Sequence, residues 1–517
     1  MSRDEQVLGS IRKIAAAAAR SDDGKRCLVS PSPALREKLK QELRALRSSA
    51  SGALAPRLRM RERTRVGFND GTIYPGNHFA LGAPAREVRK AASARKPLRG
   101  KVRVVVVLVE FSDRKFGAAF DVAHFKDLFF STGVLPNGSV KEYFREVTGG
   151  AVDIVGEVVG PYTLPRTVTE YANGESGAGD MAPNARTMAR DAAEAANADV
   201  DFGPFDNDGD GFVDAFIVLH AGEGAEVTGK ATDIWSHKWV LAGGAFQADQ
   251  TKIYAYLTVP EDSKIGVCCH ELGHLLFGFP DLYDTDYSSE GVGDWCLMAG
   301  GSWGGGGDVP CHPSAWCKAQ QGWAKIVNVK RNAKVNVSDV KTGKKIYRLW
   351  KDGGKSSEHF LVENRQRTRY DRSLPGDGLL VWHVDDSVAT NENESHYRVA
   401  LLQADAKRDL ELGTNRGDGG DPFPGDAAKI AIDGSTTPST RSYGGLDTSV
   451  ALSAIPASAE VMTVKLVVKA PKTPLAPKAP RKRANRAPIA RAEQRHKAKP
   501  SRRAVAARRR AASGGRR

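Results

Sequence analysis

The pattern of apolar and polar positions predicts helices and buried strands in the first part of this chain. Residues 101–111 form a nearly continuous run rich in β-branched side chains, which is typical of a strand buried on both faces of a sheet. A second apolar run, at 215–219, also predicts a strand. Four helices are expected, at 123–130, 140–146, 184–197 and 314–321. Residues 98–328 are therefore predicted to combine a mixed sheet with helices.

The pattern changes after residue 328. Short alternating apolar runs occur at 346–350, 360–363, 379–384, 399–403 and 461–468. They predict an antiparallel β domain over residues 329–469, with sandwich-like packing. The whole chain is thus predicted to be an α+β protein. A transmembrane segment is not expected, because no apolar run reaches the roughly 18 residues that such a helix needs.

Both ends of the chain are poor in apolar periodicity. Residues 1–97 contain one predicted amphipathic helix, at 34–47. From residue 471 onward there are 17 Lys and Arg and one acidic residue, Glu493, so this tail has a formal charge of +16. Because the net charge of the whole chain is +15, the other 470 residues sum to −1. Residues 470–517 are predicted to be disordered. The tail could contact polyanions by charge alone, or be a solvated extension without a dedicated partner.

The strongest chemical signal is the pentapeptide His270-Glu271-Leu272-Gly273-His274. Positions i and i+4 of a helix lie on one face, so both imidazoles can reach one metal while Glu271 points toward the water that the metal would hold. Apolar residues on either side predict the helix, which Gly278 and Pro280 end. The pattern indicates a zinc-dependent hydrolase with His270 and His274 as ligands and Glu271 as general base.

A catalytic zinc usually has a third protein ligand. The metzincin pattern places a glycine three residues after the second histidine and the third ligand six residues after it, but this chain has Phe277 and Pro280 there. Glycine and an acidic residue follow one position later, as Gly278 and Asp281. Asp281 is therefore the predicted third zinc ligand, and Asp284 and Glu290 are the reserve candidates.

A second metal signal lies at residues 206–214. Acidic residues occupy loop positions 1, 3, 5 and 9, with a glycine at position 6, as in the first part of a calcium loop. Position 12, where an EF-hand needs glutamate, is Ile217 in the apolar run. A structural Ca²⁺ is predicted, and an Asp/Gly turn without an ion is the alternative. The predicted ligands are Asp206, Asp208, Asp210, Phe212 and Asp214.

With these motifs, the chain resembles the immune inhibitor A family of bacterial secreted zinc metallopeptidases, which are metzincin-like HExxH peptidases. The resemblance extends from about residue 27 to about residue 469. It rests on HELGHLLFGFPDLYDTD at 270–286, GDWCLMAGGSW at 293–303, DIWSHKW at 233–239 and HAGEGAE at 220–226. It implies His270, His274 and Asp281 as zinc ligands and Glu271 as general base and acid, in a metzincin-like domain where Met298 lies beneath the zinc.

The resemblance also implies a secreted zymogen, in which residues 1–97 are the propeptide. No conventional signal peptide is evident, because the apolar stretch at 14–19 is short. A thiolate is a good zinc ligand, so Cys27 could cap the zinc in a latent form. A single cysteine upstream of a catalytic domain more often has no role at the metal, however, and the sequence favours that interpretation.

The predicted function is zinc-dependent endopeptidase activity on protein or peptide substrates. One alternative is a non-catalytic binding protein that uses the β domain or the basic tail to contact polyanions or a cell surface. Another is a zinc hydrolase for a non-peptide amide. The intact HExxH argues against a binding protein, because Glu271 has no evident role without catalysis.

Overall fold

The structure is a computed structural model that describes residues 27–49, 86–87, 90, 96–285 and 287–469. The predictions for the tail at 470–517, and for most of residues 1–97, lie outside this part of the chain. None of the helices found in these ranges is long and apolar enough to cross a membrane.

A six-stranded mixed sheet is the framework of the first part of the chain. The strands there are β1 Cys27–Leu28, β2 Gly100–Glu110, β3 Val152–Thr163, β4 Phe216–His220, β5 His237–Val240, β6 Phe246–Ala248, β7 Thr251–Ile253 and β8 Ala255–Pro260. Their order in the sheet is β1-β5-β8-β4-β2-β3, and β6 and β7 form a separate hairpin. The pairs within β8-β4-β2-β3 are parallel, whereas β5 is antiparallel to β8 and β1 is antiparallel to β5. The predicted buried strand at 101–111 is β2.

The helices predicted from periodicity are confirmed to within two residues at each end. The α-helices are α1 Pro33–Ser49, α2 Val122–Phe130, α3 Val140–Val147, α4 Val168–Ala172, α5 Ala185–Ala196, α6 Ala225–Thr228, α7 Ile265–Phe277, α8 Ala315–Gln321 and α9 Val340–Gly343. Short 3₁₀ segments are Gly203–Phe205, Gly293–Trp295, Gly300–Gly307, Lys351–Gly353 and Arg369–Ser373. Side-chain caps fix several helix starts, as where the Ser139 hydroxyl accepts from the N–H of Glu142.

Residues 325–467 form two further sheets. Their strands are β9 Lys325–Asn328, β10 Ala333–Ser338, β11 Lys345–Leu349, β12 Glu358–Arg365, β13 Gly378–Asp385, β14 Val399–Leu401, β15 Ala451–Ser453 and β16 Val461–Val467. One sheet has the order β14-β13-β12-β11-β9, and the other β10-β16-β15. The pairs between strands that lie within residues 329–469 are all antiparallel, whereas β9, which precedes residue 329, pairs with β11 in parallel. The chain leaves the five-stranded sheet after β9, adds β10 to the other sheet and returns through α9.

The five-stranded sheet contributes to a core on each of its faces, because side chains alternate along a strand. Phe360 and Val362 pack with residues of the three-stranded sheet, in a sandwich-like core. Leu361 and Trp382 point the other way and share a core with the apolar residues of α7 and of the six-stranded sheet. The helix that carries the HELGH motif is thus fixed by packing from both parts of the chain. The division into domains at 98–328 and 329–469 stays a prediction.

Candidate metal centre

Helix α7 carries the HELGH motif and is buried along its whole length. Glycine permits this burial where neighbouring segments approach closely. A β-carbon at Gly266 would lie 2.0 Å from the carbonyl oxygen of Ser302, and one at Gly273 would lie 2.6 Å from Met298 Sδ. Met298 therefore packs against the helical turn that carries the second histidine, where a floor of the site is predicted.

The side chains of His270, His274 and Asp281 converge on one point. The two Nε2 atoms are 3.0 Å apart, and Asp281 Oδ1 lies 3.2 Å from each of them. Both imidazoles are fully buried, and the Asp281 side chain is 12% exposed. A tetrahedral metal with ligand bonds of about 2.0–2.1 Å separates its ligand atoms by about 3.3 Å. The spacing of the three atoms therefore fits a single zinc ion.

The hydrogen bonds of the imidazoles orient them for a cation. His270 Nδ1 donates to Leu297 O at 2.9 Å, and His274 Nδ1 donates to Phe279 O at 2.5 Å. Because a carbonyl only accepts, each neutral ring presents the lone pair of Nε2 to the centre. Burial lowers the pKa of His274, which favours this neutral form. Two lone pairs and a carboxylate oxygen that face one another repel, so a bound cation would stabilise the arrangement.

Glu271 provides a carboxyl group beside the three converging side chains. It is fully buried, and neither carboxylate oxygen has a hydrogen-bond partner among the described residues. Burial raises its pKa well above the usual value, and the carboxylates of Asp281 and Glu226 raise that pKa further. A buried carboxyl without partners is costly, and such groups are concentrated at functional sites. Its position and its environment both favour a role in proton transfer.

The chain geometry after α7 brings Asp281 to the histidines and leaves the reserve candidates elsewhere. The helix continues through Phe277 and ends at Gly278, whose φ is 66°. The extra residue relative to the metzincin spacing is thus accommodated as one more helical residue. Asp284 accepts hydrogen bonds from the serines at 288 and 289, and Glu290 pairs with a cation of α1.

The acidic loop at 206–214 also gathers its side chains. Oxygens of Asp206, Asp208 and Asp210 lie within 4.8 Å of one another. Asp206 accepts from the backbone N–H groups of residues 209, 210 and 211, which closes the turn. Asp214 accepts from the N–H of residue 207, and Phe212 pairs with Lys252 in a β-bridge. This arrangement holds three predicted calcium ligands together, at the end of β4 away from His220.

The histidines and glutamate of the flanking motifs have structural partners. His220 Nδ1 bonds to Ala221 O, and burial lowers its pKa to about 4. His237 bonds to the Trp235 carbonyl and the Tyr256 hydroxyl, and Glu226 accepts from Ser236. These contacts place the three side chains in the framework, although Nε2 of His220 is buried without a hydrogen-bond partner among the described residues.

An extended peptide, residues 27–30, lies along β5 beside the metal centre. Its strand β1 pairs Cys27 with Lys238 and Leu28 with His237. Three aromatic side chains donate to three successive carbonyls of this peptide: Tyr283 Oη to Leu28 O at 2.7 Å, Trp235 Nε1 to Val29 O at 2.8 Å, and Trp303 Nε1 to Ser30 O at 2.9 Å. The sequence alone does not show that these donors act together, because they lie in three different segments. The available signal is that each lies in a stretch that carries the family resemblance: Trp235 in 233–239, Tyr283 in 270–286 and Trp303 in 293–303.

Comparisons with known proteins agree with the motifs. The family described as "Immune inhibitor A peptidase M6, catalytic domain" matches residues 93–327. Immune inhibitor A of Bacillus thuringiensis subsp. alesti is 31% identical over 325 residues, which cover 49% of this chain and 47% of that protein. Pre-pro-metalloprotease PrtV of Vibrio cholerae serotype O1 (strain M66-2) is 32% identical over 242 residues, covering 38% of this chain and 26% of that protein. The chain thus spans less than half the length of these relatives.

The matched residues contain both histidines, the glutamate and the aspartate of the converging site. The predicted family is therefore confirmed over the segment that includes α7 and every strand of the six-stranded sheet except β1. Residues 93–327 thus match the immune inhibitor A family of M6 metallopeptidases, the family that the motifs predict.

Proposed function

We propose that the protein is a zinc-dependent endopeptidase that hydrolyses peptide bonds of protein substrates. His270, His274 and Asp281 would hold the zinc, and Glu271 would be the general base and acid. The observation that carries the proposal is the convergence of three buried ligand atoms within 3.2 Å of one another, beside the buried carboxyl group of Glu271, which forms no ion pair or hydrogen bond with another side chain among the described residues.

The bound zinc would polarise the scissile carbonyl and make the attacking water more acidic. Glu271 would accept a proton from this water and deliver it to the leaving amine. The environment of Glu271 suits this shuttle, because burial keeps its pKa above that of an ordinary glutamate. The hydrogen bonds from Nδ1 of His270 and His274 to backbone carbonyls fix the imidazole orientations during the reaction.

The aromatic donors around residues 28–30 favour a substrate bound as an extended chain. Tyr283, Trp235 and Trp303 contact main-chain carbonyls, which every peptide has, and β5 offers its edge for strand pairing. Main-chain recognition of this kind supports action within polypeptides of varied sequence. Tyr283 is the donor nearest in sequence to the ligand Asp281, and we propose that its hydroxyl stabilises the developing oxyanion of the substrate.

We further propose that the chain is made as a zymogen and secreted. The leader segment, residues 27–49, occupies the edge of β5 where a substrate strand would pair. Its helix α1 is anchored by Arg36, whose Nε lies 2.7 Å from Glu290. Substrate access would then require removal of the leader by proteolysis or its displacement. The resemblance to a family of secreted peptidases supports the location.

A structural Ca²⁺ at residues 206–214 is part of the proposal. The side chains of Asp206, Asp208, Asp210 and Asp214 and the carbonyl of Phe212 would supply hard oxygen ligands. The ion would neutralise the clustered carboxylates and fix the turn that leads into β4. It would act on stability rather than on the chemical step, because its proposed ligands, all within residues 206–214, include none of the proposed zinc ligands and not Glu271.

The test is the peptidase activity and zinc content of Glu271→Gln after proteolytic removal of the leader. The variant should bind zinc as the wild type does, because Glu271 is not a ligand, yet hydrolyse casein at least 100-fold more slowly. Glu157→Gln, which alters an exposed glutamate of β3, is the matched control and should keep full activity. Wild-type casein hydrolysis by Glu271→Gln would refute the proposed function.

A further inference from the structure

We propose that the thiolate of Cys27 is the fourth ligand of the catalytic zinc and holds the intact chain latent. The inference rests on the proposed function, since it needs the zinc site of His270, His274 and Asp281. It assigns one residue of the leader segment to the metal. Latency by coordination of the metal is thereby distinguished from a leader that only covers the substrate-binding edge of β5.

The geometry that carries the proposal is the position of the sulfur. One potential ligand atom from each of Cys27, His274 and Asp281 lies within 4.8 Å of the other two. Cys27 is buried, with 4% of its surface exposed, and is not in a disulfide. The thiol therefore lies beside two of the proposed zinc ligands, at a place that is almost wholly buried.

A second observation points to a ligand at the same place. The carboxyl group of Glu271 is fully buried beside Asp281, and neither of its oxygens has a hydrogen-bond partner among the described residues. A metal with three protein ligands has one open position, which a catalytic site keeps for water or substrate. When the leader is in place, the sulfur of Cys27 would fill that position and deprive Glu271 of the water that it must deprotonate.

Coordination would require the thiol to lose its proton, which passes to the solvent when the metal binds. The sulfur then forms a bond to zinc, and no electron is transferred. When the leader departs, the bond to zinc breaks, a proton returns from the solvent to the sulfur, and the fourth position reopens. The latency is therefore reversible without an oxidant or a reductant.

The contacts around Cys27 would keep the thiolate at high effective concentration. β1 is paired to β5, and the next three carbonyls are held by Tyr283, Trp235 and Trp303. Further along, Arg36 and Lys40 of α1 both pair with the buried carboxylate of Glu290. A ligand tethered by these contacts stays close to the metal after it dissociates and rebinds readily, so one zinc–sulfur bond suffices for latency.

The direct test is spectroscopic and uses the intact full chain loaded with Co²⁺ in place of zinc. Thiolate coordination gives a sulfur-to-cobalt charge-transfer band in the near ultraviolet, in addition to the weaker visible bands of tetrahedral cobalt. We expect the charge-transfer band in the wild type and in Cys317→Ala, the control for loss of a buried cysteine elsewhere. We expect its complete loss in Cys27→Ala, with cobalt still bound. The zinc form of intact Cys27→Ala should hydrolyse casein at least tenfold faster than the intact wild type.

The experiment distinguishes an error in the role of Cys27 from an error in the proposed zinc site. Cobalt-loaded wild type without a charge-transfer band, or a band that survives in Cys27→Ala, would overturn the role of Cys27 even if the processed enzyme is active. Cobalt uptake that His270→Ala leaves unchanged would instead place the metal elsewhere, and both proposals would fall. Cys27→Ser provides a second variant of nearly unchanged volume, which should also lose the band.

Discussion

Replacing Arg36 with methionine should loosen the leader segment while leaving every proposed metal ligand in place. Arg36 is 3% exposed, and its Nε lies 2.7 Å from Glu290 Oε2, which is also buried. Its second hydrogen bond, at 2.6 Å, goes to the carbonyl of Ser289. Methionine keeps much of the apolar volume and removes the charge together with both hydrogen bonds.

Removal of one partner from a buried ion pair costs about 3–5 kcal/mol. Lys40 still pairs with Glu290 in the variant, so the lower end of this range applies. A loss of about 3 kcal/mol corresponds to a roughly 100-fold larger population of the undocked leader. The effect is local, because α1 contacts the rest of the protein through few elements.

Hydrogen exchange measures this opening directly. The N–H of Val29 donates to Ser236 O, and that of Ser32 donates to Glu226 O, so both exchange only when the leader is released. Both amides should exchange about 100-fold faster in Arg36→Met. Lys38→Met, at an exposed position of the same helix, is the control and should leave both rates unchanged. Rates in Arg36→Met within twofold of the control would refute the anchoring role of Glu290.

Three further predictions concern packing, ionisation and the acidic loop. Gly273→Ala should lower the free energy of unfolding by about 1–3 kcal/mol in urea titrations, because the new methyl group would overlap Met298 Sδ; an unchanged value would contradict this packing. Burial raises the pKa of Asp421 to about 7, helped by the carboxylates of Asp418 and Asp405. The folded state thus retains a proton that the unfolded state loses, and stability should fall by up to about 1.4 kcal/mol per pH unit from about pH 4 to pH 7. Asp421→Asn should remove this slope, and an identical pH profile would count against it. Added Ca²⁺ should raise the thermal unfolding midpoint of the wild type but not of Asp206→Asn; an equal rise in both would place calcium elsewhere.

The local parts of the candidate site were predictable from the sequence. The HELGH motif lies on a helix because its flanking apolar residues fit both a helical period and a buried environment. Asp281 could be predicted because the glycine and the acidic residue both stand one position later than in the metzincin pattern. One added helical residue accounts for this shift. A choice between Asp281 and Glu290 required the fold, since Glu290 pairs with cations more than 240 residues away.

The contacts between distant segments were not predictable. Trp235, Tyr283 and Trp303 act together only because the segment before β5, the turn after α7 and a 3₁₀ segment meet around residues 28–30. Periodicity likewise indicated five of the eight strands of residues 325–467, but not β9, β10 or β15. It did not indicate the strand pairing either, since parallel β9 and β11 depend on a crossover through another sheet. Local patterns report local structure, whereas these features arise from long-range topology.

The central claim is that one zinc ion is held by His270, His274 and Asp281. Anomalous X-ray diffraction on either side of the zinc absorption edge, from crystals of the zinc-loaded full chain, tests it most directly. We predict a single strong peak about 2.0–2.2 Å from both Nε2 atoms and from a carboxylate oxygen of Asp281. A peak bound to Asp284 or Glu290 instead, or no peak at this position in crystals that contain zinc, would contradict the claim.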